Sequence, residues 1–347
     1  MTPRLKKLLL WVGYPAFYLF CFFVFAYLTF PFEHLRDRIV VEFAKDQQKT
    51  GGTMRLEIEK LTSYWLSGID ARGVRLISPA PPVGADGVKK PAPEIEIERL
   101  TARVSLLPLL IGRVTVNVTA SAMGGTIEAS TSKKGEERRI EADLENIAVG
   151  RFPPLVDMVG LPMEGDLKGH LDVTMPEGKL AKTNGTIKLA FADYAVGDGK
   201  TKIKDTIALP KMTIGELTLD CDIKDGVARV TKLAASGKDL DFSADGKITL
   251  RDPFADSQAD MYMRFKFSDG YRNRNDTTKS IFGAPGSTTP ALIELADPKM
   301  KASKRQDGFY GWHVWGLVKS LRYDPSPAGA ASSGGGANPV RGGFTRQ

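Results

Sequence analysis

The sequence predicts a mainly β protein: a single N-terminal transmembrane helix, then a curved antiparallel β-sheet domain with a few short helices. Three observations carry this reading. Leu8–Phe30 is a run of 23 residues without a charge. The apolar period then shifts from about four, over Pro31–Lys49, to two from Thr53 onward. Turn signals, Asp225-Gly226 foremost, separate the alternating stretches.

Residues 1–7 form a short cytoplasmic N-terminus carrying Arg4, Lys6 and Lys7, and residues 8–30 the membrane helix. At ~1.5 Å per residue that helix reaches roughly 34 Å, enough to cross a hydrocarbon core with some tilt. Pro15 is tolerated there as a kink, and Trp11, Tyr14, Tyr18 and Tyr27 suit the two interfaces. A cleaved signal peptide has a shorter core and small residues at its cleavage site. Here the bulky YLTFPF follows Ala26, which predicts an uncleaved anchor. The basic residues before the span keep the N-terminus in the cytoplasm and export everything after Phe30.

Residues 31–52 read as an amphipathic juxtamembrane helix. Leu35, Ile39, Val40 and Phe43 form its apolar stripe, and Gly51-Gly52 stops it. Glu33 near its start and Lys45 and Lys49 near its end complement the helix dipole. Residues 53–323 form the β-rich domain. Alternation is plain at Met54, Leu56, Ile58, at Val114, Val116, Val118, and at Ile187, Leu189, Phe191. It returns at Leu240, Phe242, Ala244 and at Met261, Met263, Phe265. Such strands carry one apolar and one polar face, as half-buried antiparallel sheets do. Gly215–Leu250 is the clearest unit, a three-strand meander with Asp225-Gly226 at its first turn. Ser78–Glu94 is a breaker-rich loop, Leu106–Ile111 a helical turn tucked under the sheet, and Pro153–Val159 a short helix. Residues 324–347 form a disordered low-complexity tail.

The formal charge is +7, but the N-terminus and the tail hold four of those charges, leaving +3 over residues 31–323. No nucleic-acid partner is predicted from so dilute an excess. Cys21 and Cys221 offer neither a disulfide framework nor a zinc pattern. His34, His170 and His313 have no Ser, Cys or Asp partner at a telling spacing, so no triad is read. Gly199-Lys200-Thr201 has Tyr194 where a phosphate-binding loop needs glycine, and reads as a turn. Asp220, Asp222 and Asp225 share only composition with a calcium loop and fit the wet face of a strand. Tyr310, Trp312, His313 and Trp315 read as a final strand whose rings close one end of the core. Asn117, Asn184 and Asn275 match glycosylation acceptors, a pattern short enough to arise by chance. No catalytic, cofactor-binding or metal residue is assigned, no cofactor is expected, and the chain does not read as an enzyme.

Several segments, in this order, resemble the bacterial type II secretion system protein N (GspN) family in its delta-proteobacterial or myxobacterial form. They are Tyr27–Ile39 (YLTFPFEHLRDRI), Ser67–Pro79 (SGIDARGVRLISP), Ala102–Arg113 (ARVSLLPLLIGR), Gly215–Gly226 (GELTLDCDIKDG), Ser236–Pro253 and Asp307–Gly316 (DGFYGWHVWG). The resemblance implies an accessory scaffold of the type II secretion apparatus, single-pass in the inner membrane with its bulk in the periplasm. It implies the inner-membrane platform and the secretin as partners, and it brings no active-site residues. The repeated G-x-L-x-L phrasing is also similar to AsmA-type periplasmic proteins. That likeness implies an alternative: lipid binding or transfer, with phospholipid as ligand.

Overall fold

A computed structural model of the chain describes residues 3–50, 52–65, 67–79, 92–153, 156, 160–203, 207–287 and 289–326. Where the sequence suggests one β-rich stretch, the chain divides into two compact units. The first is Met1–Gly135 with Arg151–Pro154, and the second Glu136–Gly150 with Leu155–Gln347. The mainly β, antiparallel class holds in both. Most of the loop Ser78–Glu94, most of the helix read at Pro153–Val159 and the tail beyond Ser326 lie outside the described residues.

Unit one begins with helices α1 (Pro3–Leu28) and α2 (Phe32–Thr50). A meander of β1 (Arg55–Tyr64), β2 (Gly68–Ile77), β3 (Glu94–Val104), β4 (Val114–Ala122) and β5 (Gly125–Lys134) follows. Each strand pairs antiparallel with its sequence neighbour. The stripe read on α2 meets the sheet: Leu35 and Ile39 pack on Leu61, Ala71 and Val74. Ala71 and Val74 are 2% and 4% exposed, although a spacing of three should send them to opposite faces. Gly73 between them, at φ +60°, interrupts the regular alternation without shifting the register, and both residues join the same cluster.

Two expectations change in this unit. Leu106–Leu109 is indeed a helical turn, α3, but it is not tucked under the sheet. Leu107, Leu110 and Ile111 are 80%, 83% and 72% exposed. The membrane span stands differently. Among the described residues, no helix is long and apolar enough to cross a membrane. The side chains of residues 3–10, 23 and 26–28 lie outside that description, and every described side chain from Trp11 to Phe25 is exposed.

Unit two is a larger meander of β6 (Glu137–Ala148), β7 (Met163–Met175), β8 (Asn184–Val196), β11 (Met212–Lys224), β12 (Val227–Ser236), β13 (Leu240–Thr249), β14 (Gln258–Phe267), β15 (Tyr310–Leu317) and β16 (Ser320–Pro325). A two-residue pair, β9 (Lys202–Ile203) and β10 (Ile207–Ala208), sits between β8 and β11. The strand β16 runs through Asp324 and Pro325, so the ordered chain passes the boundary at Tyr323 that the sequence suggests. Asp225 and Gly226 both have positive φ, 49° and 72°, in the turn between β11 and β12, as expected.

Between β14 and β15 the chain leaves the sheet for four short helices: α4 (Asp269–Arg272), α5 (Asp276–Phe282), α6 (Leu292–Ala296) and α7 (Pro298–Ser303). Tyr271, Ile281, Phe282 and Met300 from these helices join Phe267, Tyr310 and Trp312 in the main core. Two buried carboxylates pin the helices down. Asp239, whose side chain is 1% exposed, accepts from the Thr213 amide at 2.7 Å and from Arg274 at 2.5 Å. Glu294 accepts from Lys304 at 2.6 Å and from the Tyr310 hydroxyl at 2.7 Å. Burial pushes the Glu294 pKa up, but these two hydrogen bonds outweigh it and hold the carboxyl below its ordinary range.

Two substitutions test this account. A Cβ at Gly226 would lie 2.2 Å from the Ala181 carbonyl oxygen, and its positive φ disfavours a β-branched residue. Gly226→Val is therefore expected to lower stability by about 1–3 kcal/mol in denaturant unfolding. Asp239→Ala orphans the Thr213 amide and a partly exposed guanidinium, an expected loss of about 2–3 kcal/mol. Unchanged unfolding midpoints would contradict either assignment.

Candidate functional site

Strand register in unit two turns alternation into two chemically distinct faces. One cross-strand row runs Leu144, Gly169, Leu189, Leu219, Leu233, Ala244, Met263, Trp312, each directly opposite the next. A second runs Leu167, Phe191, Leu217, Ala235, Phe242, Phe265, Tyr310 in the same way. Toward β15 these rows are covered by the α4–α7 helices, and Tyr310 and Trp312 are each 5% exposed. From β6 to β12 the row residues Leu144, Leu167, Leu189, Phe191, Leu217, Leu219 and Leu233 are only half-buried. A continuous, half-buried apolar face can hold an apolar ligand or a partner's apolar surface.

The opposite face is polar and largely self-paired. Asp143, His170, Lys188, Asp220 and Lys232 stand in one cross-strand row. Arg139 grips Asp172 through two hydrogen bonds of 3.0 and 2.8 Å, which holds the Asp172 carboxyl below the usual range. His170 Nδ1 lies 2.6 Å from Asp143, and that hydrogen bond raises the imidazole pKa. Two solvent-open depressions share Thr218 and Lys232 on this face. One, of about 310 Å³, is bordered by Lys168, His170, Lys188 and Asp220; the other, of about 410 Å³, by Asp241, Ser243, Arg264 and Phe309. Arg264 is fixed by Ser243 at 2.9 Å and lies over the Phe309 ring. The arrangement is a shallow, mixed-charge surface that can dock a polar partner.

The residues weighed from sequence fall into place. The strand Tyr310–Leu317 splits its aromatics: Tyr310 and Trp312 enter the core, as expected, while His313 and Trp315 turn to the polar face. There His313 stacks on Tyr262 at 4.4 Å and contacts Asp260 at 2.8 Å, and Trp315 donates to Asp324 at 3.0 Å. It is not the last strand, since β16 follows. Asp198 accepts from the amides of Lys200 and Thr201 at 2.8 and 2.7 Å, so Gly199-Lys200-Thr201 is a side-chain-capped turn. Asp220 and Asp222 project from the polar face, and Asp225 sits apart in its hairpin turn. Among the described residues, no group of three or more His, Cys, Asp or Glu could hold a metal ion. Cys221 is buried, and burial pushes its thiol pKa up, the reverse of what a nucleophile needs. Cys21 and His34 are exposed on the N-terminal helices. The apolar rows were not assembled from sequence, because which strands lie opposite each other follows from register, not from alternation.

Searches against family models, curated proteins and solved structures match nothing.

The His170–Asp143 contact makes a pH prediction. A raised imidazole pKa means the pair contributes fully below the unfolded value near 6.5 and is lost as pH rises through the folded value. Titration followed by NMR should place His170 above the free imidazole value, and Asp143→Asn should lower it. A His170 midpoint unaffected by that change would contradict the contact.

Proposed function

We propose that this chain is a membrane-anchored accessory scaffold of bacterial type II secretion, gathering partner proteins along the exposed edge strand of its second unit. The observation that carries this reading is β16. Among the described residues it pairs as a strand with β15 alone; Ser320, Leu321, Arg322 and Tyr323 are exposed along it, and Lys299 of α7 donates to the Tyr323 carbonyl at 3.0 Å. Its shortness, its arginine and its terminal Pro325 discourage indiscriminate pairing and leave an edge suited to addition of one specific strand. The resemblance of Tyr27–Ile39 and the later segments to the GspN family supports the secretion setting, with the inner-membrane platform and the secretin as partners. The charge-free run Leu8–Phe30, preceded by Arg4, Lys6 and Lys7, supports an inner-membrane anchor with the N-terminus in the cytoplasm. Exposed apolar side chains around α1, from Trp11 to Phe25, call for an apolar solvent. Attachment of this kind raises the local concentration of the edge beside its partners, so a weak contact suffices.

A second reading rests on a different observation. The half-buried apolar rows of β6–β12 would also accept acyl chains, as an AsmA-like lipid-binding or lipid-transfer protein requires. A photo-crosslinking residue at Leu321 or at Leu189, in living cells, separates the two. Adducts of Leu321 with secretion components, and loss of enzyme export in a deletion strain, are expected. Phospholipid adducts at Leu189, with normal export and a leaky outer membrane, would overturn the scaffold and leave the lipid reading.

A further inference from the structure

Unit one presents an apolar tip that the fold does not use. The β1–β2 turn, the β3–β4 connection and the end of β5 lie at one end of its meander, because each strand reverses the last. At that end Trp65 is 69% exposed, Leu107 and Leu110 are 80% and 83% exposed, and Ile111 is 72% exposed. The two turns are fastened together: Ser67 donates through its hydroxyl to the Val104 carbonyl at 2.8 Å, and the Val104 amide donates to the Ser67 carbonyl at 3.1 Å. Soluble surfaces rarely gather so many large apolar side chains on one turn without an occupant.

Charge identifies the occupant. From Arg99 through Ile127 the chain has three arginines, Arg99, Arg103 and Arg113, and no Asp or Glu. Arg99 is committed to Asp70, whereas Arg103 and Arg113 are exposed beside the tip; the exposed Lys133 and Lys134 at the end of β5 are followed at once by Glu136 and Glu137 and add no net charge. A leucine-rich tip with a tryptophan and a basic rim matches the boundary between acyl chains and anionic headgroups.

Geometry places that boundary where α1 ends. Only residues 51–54 separate α2 from β1, and α2 packs on β1–β3 through Leu35 and Ile39. The helix therefore runs back along β1. Its 19 residues reach about 28 Å and the 10 of β1 about 33 Å, so α2 begins near the Trp65 end. Residues 29–31 alone join α1 to that start, and Phe30 touches Phe32 with ring centres 4.9 Å apart.

We propose that the Trp65 and Leu106–Ile111 tip inserts into the anionic lipid leaflet that α1 enters, giving unit one a second, shallow attachment that orients it on the membrane. The proposal rests on the anchor reading of α1, and one sample tests both. The full chain, with Cys21→Ser and Cys221→Ala, carries a single NBD-labelled cysteine at Leu110→Cys or, at the opposite end of the meander, at Thr53→Cys. It is reconstituted in vesicles of phosphatidylglycerol and phosphatidylethanolamine containing doxyl-labelled lipid. The Leu110 probe is expected to shift to the blue and lose most of its fluorescence to the quencher, with the Thr53 probe unaffected. Vesicles of phosphatidylcholine alone should weaken that quenching. A solvent-like Leu110 probe on chain that resists alkaline carbonate extraction would overturn the tip while leaving the anchor intact. Release of the chain by carbonate would overturn the anchor instead.

Discussion

Antiparallel pairing of the long strands in sequence order, with the short β9–β10 pair set aside, is the constraint on which the rest of the structure depends. In an antiparallel meander, side chains opposite one another share a face, so alternation along each strand becomes continuous rows across many. Leu189 faces Leu219, Leu219 faces Leu233, and Lys188 faces Asp220 on the other side. A one-residue slip anywhere would exchange these faces, which is why local breaks are confined to bulges such as that between Asp220 and Cys221. The same constraint leaves an edge strand and a half-covered apolar face, the two features on which the proposed binding role rests.

Closure of the apolar face at one end depends on a few polar anchors. Asp239 ties the β12–β13 turn to β11 and, through Arg274, to the helices; Glu294 ties α6 to β15 through the Tyr310 hydroxyl. Burial together with the neighbouring Glu294 carboxylate keeps the Tyr310 hydroxyl protonated well above its ordinary range. That fixes Tyr310 as a donor at any physiological pH. Each buried carboxylate is worth more broken than made: removing one partner leaves the other unsatisfied in a dry site.

Much of this was legible in the residues. Period two marked the strands, Asp225-Gly226 marked its hairpin, and the Leu35, Ile39 stripe marked the packing face of α2. The helical excursion between β14 and β15 was not read, because its helices are too short to show a period. Its signals were the caps instead: Asn275 forms a capping box with Thr278, and Asp297 caps a helix that starts at Pro298. Leu106–Ile111 was read as buried because apolar runs usually are, and only the strand directions reveal it as an exposed tip. The division into two units left no compositional trace, since alternation continues through β5 and β6 alike.

Hydrogen exchange on the full chain tests the central claim most directly, compared in native envelope membranes and after extraction into detergent. The account predicts that the outward-facing amides of Leu321 and Tyr323 exchange slowly in the envelope, where a partner strand covers the edge, and rapidly once partners are stripped away. Equal, rapid exchange of the Leu321 and Tyr323 amides in both states would contradict it.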